Sequence, residues 1–270
     1  MSLVAIGSVH GSPGVTTTVL GMAAAWPSAT GRDVLVVEAD PDGGVLAARF
    51  DELSADKTLA DVAVDIRRAF AVERVMESTR RLWGGVSVVV APPSAERSQS
   101  ALVTCAERLA VGLSDAKEVD ALVDVGRMTV RSPCLPLVRH AGMALLVTRP
   151  TFEDVAIAAP RVAELGAQGC EVGLVVVGDR PYPPAEVAAA VGADLVGVVP
   201  ADARSAGLLA GGPGADRRLR RSLLWRSLHE LAGMLSWSVN PSAGSVPVGP
   251  DEAPRNVTGG SPATDGEPTT

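Results

Sequence analysis

Ser8-Val9-His10-Gly11-Ser12-Pro13-Gly14-Val15-Thr16-Thr17-Thr18 is the stretch that decides the fold. It follows an apolar run, Leu3–Val9, and opens a segment of helical character, Thr16–Ala25. Strand, tight turn of small residues and helix is the order a phosphate-binding loop needs. Small residues let the backbone curl until N–H groups converge, and the helix N-terminus adds partial positive charge. The hydroxyl of Thr16 is placed to ligand Mg2+. The same residues also suit a plain β-to-α turn built on Gly and Pro, so the loop alone leaves both readings open.

Further apolar, β-branched runs recur downstream: Val34–Val37, Val86–Val90, Ala121–Val125, Ala144–Val147, Val172–Val177 and Leu195–Val199. They are near-continuous rather than alternating, as strands buried on both faces require. Between them lie helical segments at Thr58–Phe70, Ala101–Leu113, Phe152–Leu165 and Ala185–Val191. This alternation predicts an α/β fold with a doubly wound, mostly parallel sheet and helices on both faces. A last helix is predicted over Asp216–Trp237. From residue 239 to 270 the chain turns to Pro, Gly, Ser, Thr and acids without an aromatic. Such a tail buries too little apolar surface to offset its ordering entropy and is predicted to be disordered. The expected organisation is therefore one domain over 1–238 and a tail over 239–270.

Composition narrows the function classes. The 270 residues carry a net charge of −7, so the molecule as a whole is not a basic nucleic-acid binder. No apolar run reaches the roughly 18 residues that span a bilayer. The N-terminal residues lack the charged start of a signal peptide. Cys105, Cys134 and Cys170 have no metal or disulfide spacing, which fits a reducing, cytoplasmic setting. Asn256-Val257-Thr258 matches a glycosylation sequon that has no use there. His140 and His229 have no partner at ligand spacing, and Trp26, Trp83, Trp225 and Trp237 read as packing residues near helix ends. Lysine is scarce: Lys57 and Lys117 are the two among 24 Lys and Arg residues.

Carboxylates reinforce the phosphate reading. Glu38 and Asp40, in Glu38-Ala39-Asp40-Pro41-Asp42-Gly43-Gly44, sit at the C-terminal end of the second strand, and Asp124 ends the strand Ala121–Val123. Ligands of open α/β sheets bind beyond the carboxyl ends of the strands. One such acid is an ordinary solvated strand end. Three beside a Gly-rich loop point to a Mg2+–phosphate site, with Thr16, Asp40 and Asp124 as the metal-binding residues.

This order resembles the MinD/ParA branch of P-loop ATPases, whose deviant Walker A motif is Lys-Gly-Gly-Val-Gly-Lys-Thr-Thr. His10-Gly11-Ser12-Pro13-Gly14-Val15-Thr16-Thr17 takes the Walker A place, Glu38-Ala39-Asp40-Pro41 the Asp-x-Asp-Pro place and Asp124 the Walker B place. Leu145-Leu146-Val147-Thr148-Arg149-Pro150 is similar to a later family strand. Val198-Val199-Pro200-Ala201-Asp202 resembles the family's Ile-Pro-x-Asp beside the base, and Gly178-Asp179-Arg180 stands where the family has an adenine-reading Asn-Arg. The likeness covers roughly residues 1–235. It is closest to actinobacterial MinD-like proteins with Gly-Ser-Pro-Gly-Val-Thr-Thr-Thr, several of which resemble the TadZ/CpaE group that localises pilus or secretion ATPases. The resemblance implies ATP and Mg2+ at residues 10–17, Gly178, Asp179, Pro200 and Asp202, catalytic carboxylates at Asp40 and Glu38 if the site is active, and a homodimer.

Two departures weaken the chemistry. His10 replaces the signature lysine, which in the family crosses the dimer interface, and Val15 replaces the P-loop lysine. Phosphoryl transfer is catalysed by positioning and electrostatics, so losing both cations removes several kcal/mol of transition-state stabilisation. Nucleotide binding is expected to be weak or lost and hydrolysis weak or absent. Arg127, just after Asp124, is the nearest replacement cation by motif. Asp179 in place of Asn can accept from the adenine amino group but cannot donate to ring N1.

Three functions follow. The first is a regulatory or positioning scaffold with a degenerate nucleotide site, whose partner is a protein such as a pilus or secretion ATPase. The second is a working partitioning or division-site ATPase. The third is a nonspecific DNA-associated protein using Arg217, Arg218, Arg220 and Arg221 at the start of the last helix. Arginines there oppose the usual dipole preference, although they also suit a solvated surface. Direct membrane docking is the weakest reading, because the chain's end is a Pro/Gly tail rather than an amphipathic helix. DNA binding through the arginines requires an affinity that falls steeply between low and moderate salt in a fluorescence-anisotropy titration; a flat response excludes it.

Overall fold

The computed structural model describes residues 3–11, 13–210 and 215–239, and of 215, 216 and 236–239 the backbone alone. Ser12, the tail over 240–270 with Asn256, and the side chain of Trp237 lie outside the described residues. The chain runs β1 (Leu3–Ser8), α1 (Val15–Thr30), β2 (Val34–Glu38), α2 (Leu46–Arg49), α3 (Leu59–Asp65), α4 (Val72–Glu77) and β3 (Arg80–Arg81). It continues through β4 (Ser87–Val89), α5 (Ala95–Asp115), β5 (Asp120–Arg127), α6 (Leu135–Arg139), β6 (Met143–Thr148) and α7 (Phe152–Ala167). Last come β7 (Val172–Val177), α8 (Pro184–Val191), β8 (Asp194–Val199), α9 (Ala203–Leu209), α10 (Ala215–Leu219) and α11 (Leu223–Val239).

The strands form one sheet in the order β3-β4-β2-β5-β1-β6-β7-β8. All neighbours are parallel except the short edge strand β3, which runs antiparallel to β4. The apolar runs explain the arrangement. In β1, Leu3 and Ala5 enter the core shared with α3, α5, α6, α7 and α8, while Val4 and Ile6 enter the core shared with α1, α9 and α11. Both faces are buried, so alternation disappears and a parallel sheet results. On the second face α11 lies against α1, with Leu224, Leu228, Leu231 and Leu235 all buried. The two helices approach closely at Gly21, where a Cβ would stand 2.3 Å from Leu228 Cδ1.

Three expectations need correction. The segment predicted as one helix over Asp216–Trp237 is two, α10 and α11. Ser222 divides them: its hydroxyl donates to the Leu219 carbonyl at 2.6 Å and accepts from the Trp225 N–H at 3.1 Å, which starts a new helix. The arginines therefore do not crowd one helix start. Arg217 and Arg218 sit on α10, Arg221 lies in the break, and Arg220 stacks on the Trp225 ring at 5.0 Å from its centroid. Likewise Thr58–Phe70 is helical only over Leu59–Asp65, and α4 and β3 carry no periodic signal of their own. His140 has a partner, Glu107 Oε1 at 3.0 Å. No helix among the described residues is long and apolar enough to cross a membrane.

Helix α1 is hydrogen-bonded to β5 at both ends. The Thr16 hydroxyl donates to Asp124 Oδ2 at 2.8 Å, and the Trp26 indole N–H donates to Asp120 Oδ2 at 2.9 Å. Ten helical residues rise about 15 Å and four strand residues about 13 Å, so the two spacings match. Arg32, just past α1, adds a second donor to Asp120 Oδ2 at 2.9 Å. The other oxygen of Asp120 has no hydrogen-bond partner among the described residues. Trp26→Phe leaves this buried carboxylate with Arg32 alone and is expected to cost about 1–3 kcal/mol in urea unfolding. An unchanged midpoint would show that Arg32 suffices.

Candidate functional site: a carboxylate-lined cleft at the Gly-rich loop

At the carboxyl ends of β1, β2 and β5 the loop before α1 closes a cleft of about 290 Å³. Gly14 supports it locally. This residue caps α1 in the left-handed region, with φ 104°, and its carbonyl accepts from both the N–H and the hydroxyl of Thr18. Space for a ligand follows, because a Cβ on Gly11 or Gly14 would meet nothing within 4 Å. Gly11, Gly14, Val15, Thr16 and Thr17 line the cleft, facing Asp40 and Asp124.

Asp124 is the electrostatic centre. It is buried, accepting from the Thr16 hydroxyl at 2.8 Å and from the Gly126 N–H at 3.0 Å. Burial pushes its carboxyl up to about 7 despite those two bonds, and the carboxylates of Glu38 and Asp40 push the same way. Asp40 is also raised, by burial, although the Asp42 N–H donates to its Oδ1 at 2.8 Å. Gly126, at φ 60°, makes room for it: a Cβ there would stand 2.4 Å from the Asp40 carboxyl.

Glu38 does not reach the cleft. It is 2% exposed, with Oε1 accepting from the Val45 and Leu46 N–H groups at 2.7 and 3.0 Å and Oε2 from Ala91 N–H at 3.0 Å. The residue thus joins the loop after β2 to the end of β4. A carboxylate occupied by three backbone donors and absent from the cleft lining does not fit the catalytic place expected of it. His10 also stands apart from the lining, its Nδ1 3.4 Å from Asp154 Oδ1, and the Arg149 Nε donates to the same carboxylate at 2.8 Å.

Cations come from arginine. Arg127 lines the cleft, its Nε 3.9 Å from the exposed carboxylate of Asp42, and Arg49, from the end of α2, lines it as well. Arg49 escapes sequence reading because only the packing of α2 brings it to the loop. Neither lysine is near: Lys57 donates to the Glu77 carbonyl at 3.3 Å, and the Lys117 carbonyl accepts from Arg32 at 2.9 Å.

The remaining expected residues border two further hollows. Pro13, Thr17, Pro200 and Asp202 line one of about 270 Å³. Gly178, Asp179 and Pro200 line another of about 490 Å³. Asp202 is partly committed, since it caps α9 by accepting from the N–H and hydroxyl of Ser205.

Thr16, Asp40 and Asp124 thus share one cleft. Among the described residues no cluster of three His, Cys, Asp or Glu is close enough to hold a metal alone. Mg2+ would need few protein ligands, its shell being completed by water and phosphate oxygens. A cation would also relieve the raised Asp124. Without one, the folded chain holds a proton on Asp124 that the unfolded chain releases at about 3.9. Folding stability is therefore lost as pH rises from about 4 through 7. Asp124→Asn is expected to raise metal-free stability by about 1–3 kcal/mol above pH 7 and to leave it unchanged near pH 4, measured by thermal melting across pH. A gain equal at both pH values would refute the assignment.

No protein-family model and no curated protein sequence matches the chain. Solved structures do. The fold is similar to a ParA family ATPase from Chlorobium tepidum, at 16% identity and TM-score 0.69 over 86% of this chain and 99% of that one. It is similar to the septum site-determining protein MinD from Pyrococcus horikoshii complexed with Mg-ADP, at 20% identity and TM-score 0.67 over 86% and 94%. An ATP complex of a McdA variant from Cyanothece follows at 15% identity and TM-score 0.61 over 89% and 96%. The mostly parallel eight-stranded sheet with helices on both faces is thus similar in fold to the ParA and MinD ATPases, as the alternation of strands and helices predicts.

Proposed function

We propose that this chain is a nucleotide-dependent positioning protein of ParA/MinD type that binds a Mg2+-nucleoside triphosphate and hydrolyses it slowly or not at all. The observation that carries this is the pairing of Thr16 with buried Asp124 beside two arginines in a cleft without lysine. Thr16, Asp40 and Asp124 would hold Mg2+ directly or through water. Arg49 and Arg127 would take the phosphate charge, and a guanidinium can bind phosphate in bidentate fashion. The MinD neighbour solved with Mg-ADP and the McdA neighbour solved with ATP support the nucleotide part.

Slow hydrolysis follows from what is missing. Val15 stands where a P-loop lysine would extend from the loop, and Glu38 is occupied by backbone donors. A site that binds but turns over slowly suits a scaffold. In this reading the chain forms a homodimer and holds a protein partner, in the class of a pilus or secretion ATPase, in a cytoplasmic setting. His10 keeps its imidazole against Asp154 of its own chain, so dimerisation would not depend on it. Rapid turnover, the alternative of an active partitioning ATPase, lacks its lysines.

Calorimetric titration with Mg2+ and ATP or GTP, run beside phosphate-release assays, tests the proposal. Binding is expected with release near the protein-free rate. Arg49→Ala and Arg127→Ala are each expected to weaken binding about 10- to 150-fold, the worth of a hydrogen bond to a charged group. No binding of either nucleotide at millimolar concentration would overturn the nucleotide role, and unchanged affinity in both variants would overturn the arginine role.

A further inference from the structure

The cleft and the two hollows follow one another along shared lining residues. Gly14 and Thr17 border both the cleft and the 270 Å³ hollow, whose walls Val177 and Val199 make largely apolar. Pro200 and Ala201 border both that hollow and the 490 Å³ one. A nucleotide with its phosphates on the loop would lie along this path, with its sugar near Pro200 and its base at the third hollow. The polar side chains lining that hollow are Asp179, Arg226, Ser227 and Glu230.

Their hydrogen-bonding states are informative. The Gly178 N–H is spent on the Val199 carbonyl at 2.8 Å, so this backbone donor is closed to a base. The carboxylate of Asp179, just past β7, is exposed and makes no hydrogen bond or ion pair among the described residues. An ionised carboxylate only accepts. Guanine offers it two adjacent donors, N1–H and the N2 amino group, and keeps O6 as an acceptor for a guanidinium such as Arg226. Adenine offers one donor, N6, next to the N1 lone pair, which would face a carboxylate oxygen unpaired.

We infer that the base site selects guanine over adenine, with Asp179 as the specificity-determining residue. This rests on the nucleotide-binding reading above. Asp179 would accept from N1–H and N2–H, and Arg226 would donate to O6. Mismatched donor and acceptor patterns discriminate more strongly than shape, because they leave a desolvated polar group unpaired.

Displacement of a fluorescent GDP analogue from the full chain with Mg2+ present, by GTP, ITP and ATP, tests this. GTP is expected to compete at least about tenfold better than ATP, the scale of one good bidentate base contact. ITP, which lacks the N2 amino group, should fall between them. Asp179→Asn places a donor beside an acceptor and should shrink the GTP-to-ATP ratio about tenfold or more. Because Asp179 is exposed, the variant should melt with the wild type. ATP competing as well as GTP would overturn the guanine assignment and leave the nucleotide site standing. An unchanged ratio in Asp179→Asn would overturn the role of Asp179. If the analogue and all three nucleotides fail to bind at millimolar concentration, the nucleotide reading falls and this one with it.

Discussion

Helix α1 is hydrogen-bonded to β5 near both of its ends, and the placement of the Gly-rich loop depends on that attachment. Thr16 meets Asp124 in the first turn and Trp26 meets Asp120 near the last, so α1 can neither slide nor roll against the strand. Both acceptors are buried carboxylates. A buried carboxylate without partners is costly, which makes each contact specific as well as stabilising. With α1 pinned, the loop ahead of it can only close over the ends of β1 and β5. Packing of α11 across α1, allowed by Gly21, holds the helix from its other side.

The same contact also shapes the cleft. Asp124 is part of the scaffold through Thr16 and part of the site through its raised carboxyl. Burial that helps to fix the loop also leaves a group that gains from a nearby cation. Asp40 shares the condition, crowded against Gly126 and raised by burial. Around these acids the chain supplies arginine rather than lysine, from two elements far apart in sequence. A guanidinium at the cleft wall can bind phosphate strongly, yet it does not extend from the loop backbone as a P-loop lysine would. The proposed binding without efficient transfer rests on that difference.

Much of this is legible in the residues. Strands buried on both faces are continuous apolar runs, and seven strands of the sheet coincide with such runs. Gly11, Gly14, Thr16, Asp40 and Asp124 meet in one cleft because strand ends and the loop share one edge of the sheet. Strand β3 is two arginines held by pairing with β4, which no periodicity marks. The break between α10 and α11 turns on the single hydroxyl of Ser222, hidden inside a helical pattern of leucines. Glu38 reads as a site acid from its position at a strand end, but a longer side chain reaches the backbone donors at residues 45, 46 and 91.

Local pattern and residue identity are enough for the parallel sheet, the Gly-rich turn before α1 and the absence of lysine from that turn. Only the tertiary structure decided which charges face the cleft. Arg49 arrives there through the packing of α2, Glu38 leaves it for backbone partners, and Asp179, just past β7, lines one hollow with Arg226 of α11. Direction and proximity of side chains arise from contacts between segments tens of residues apart. No local pattern along the chain encodes them.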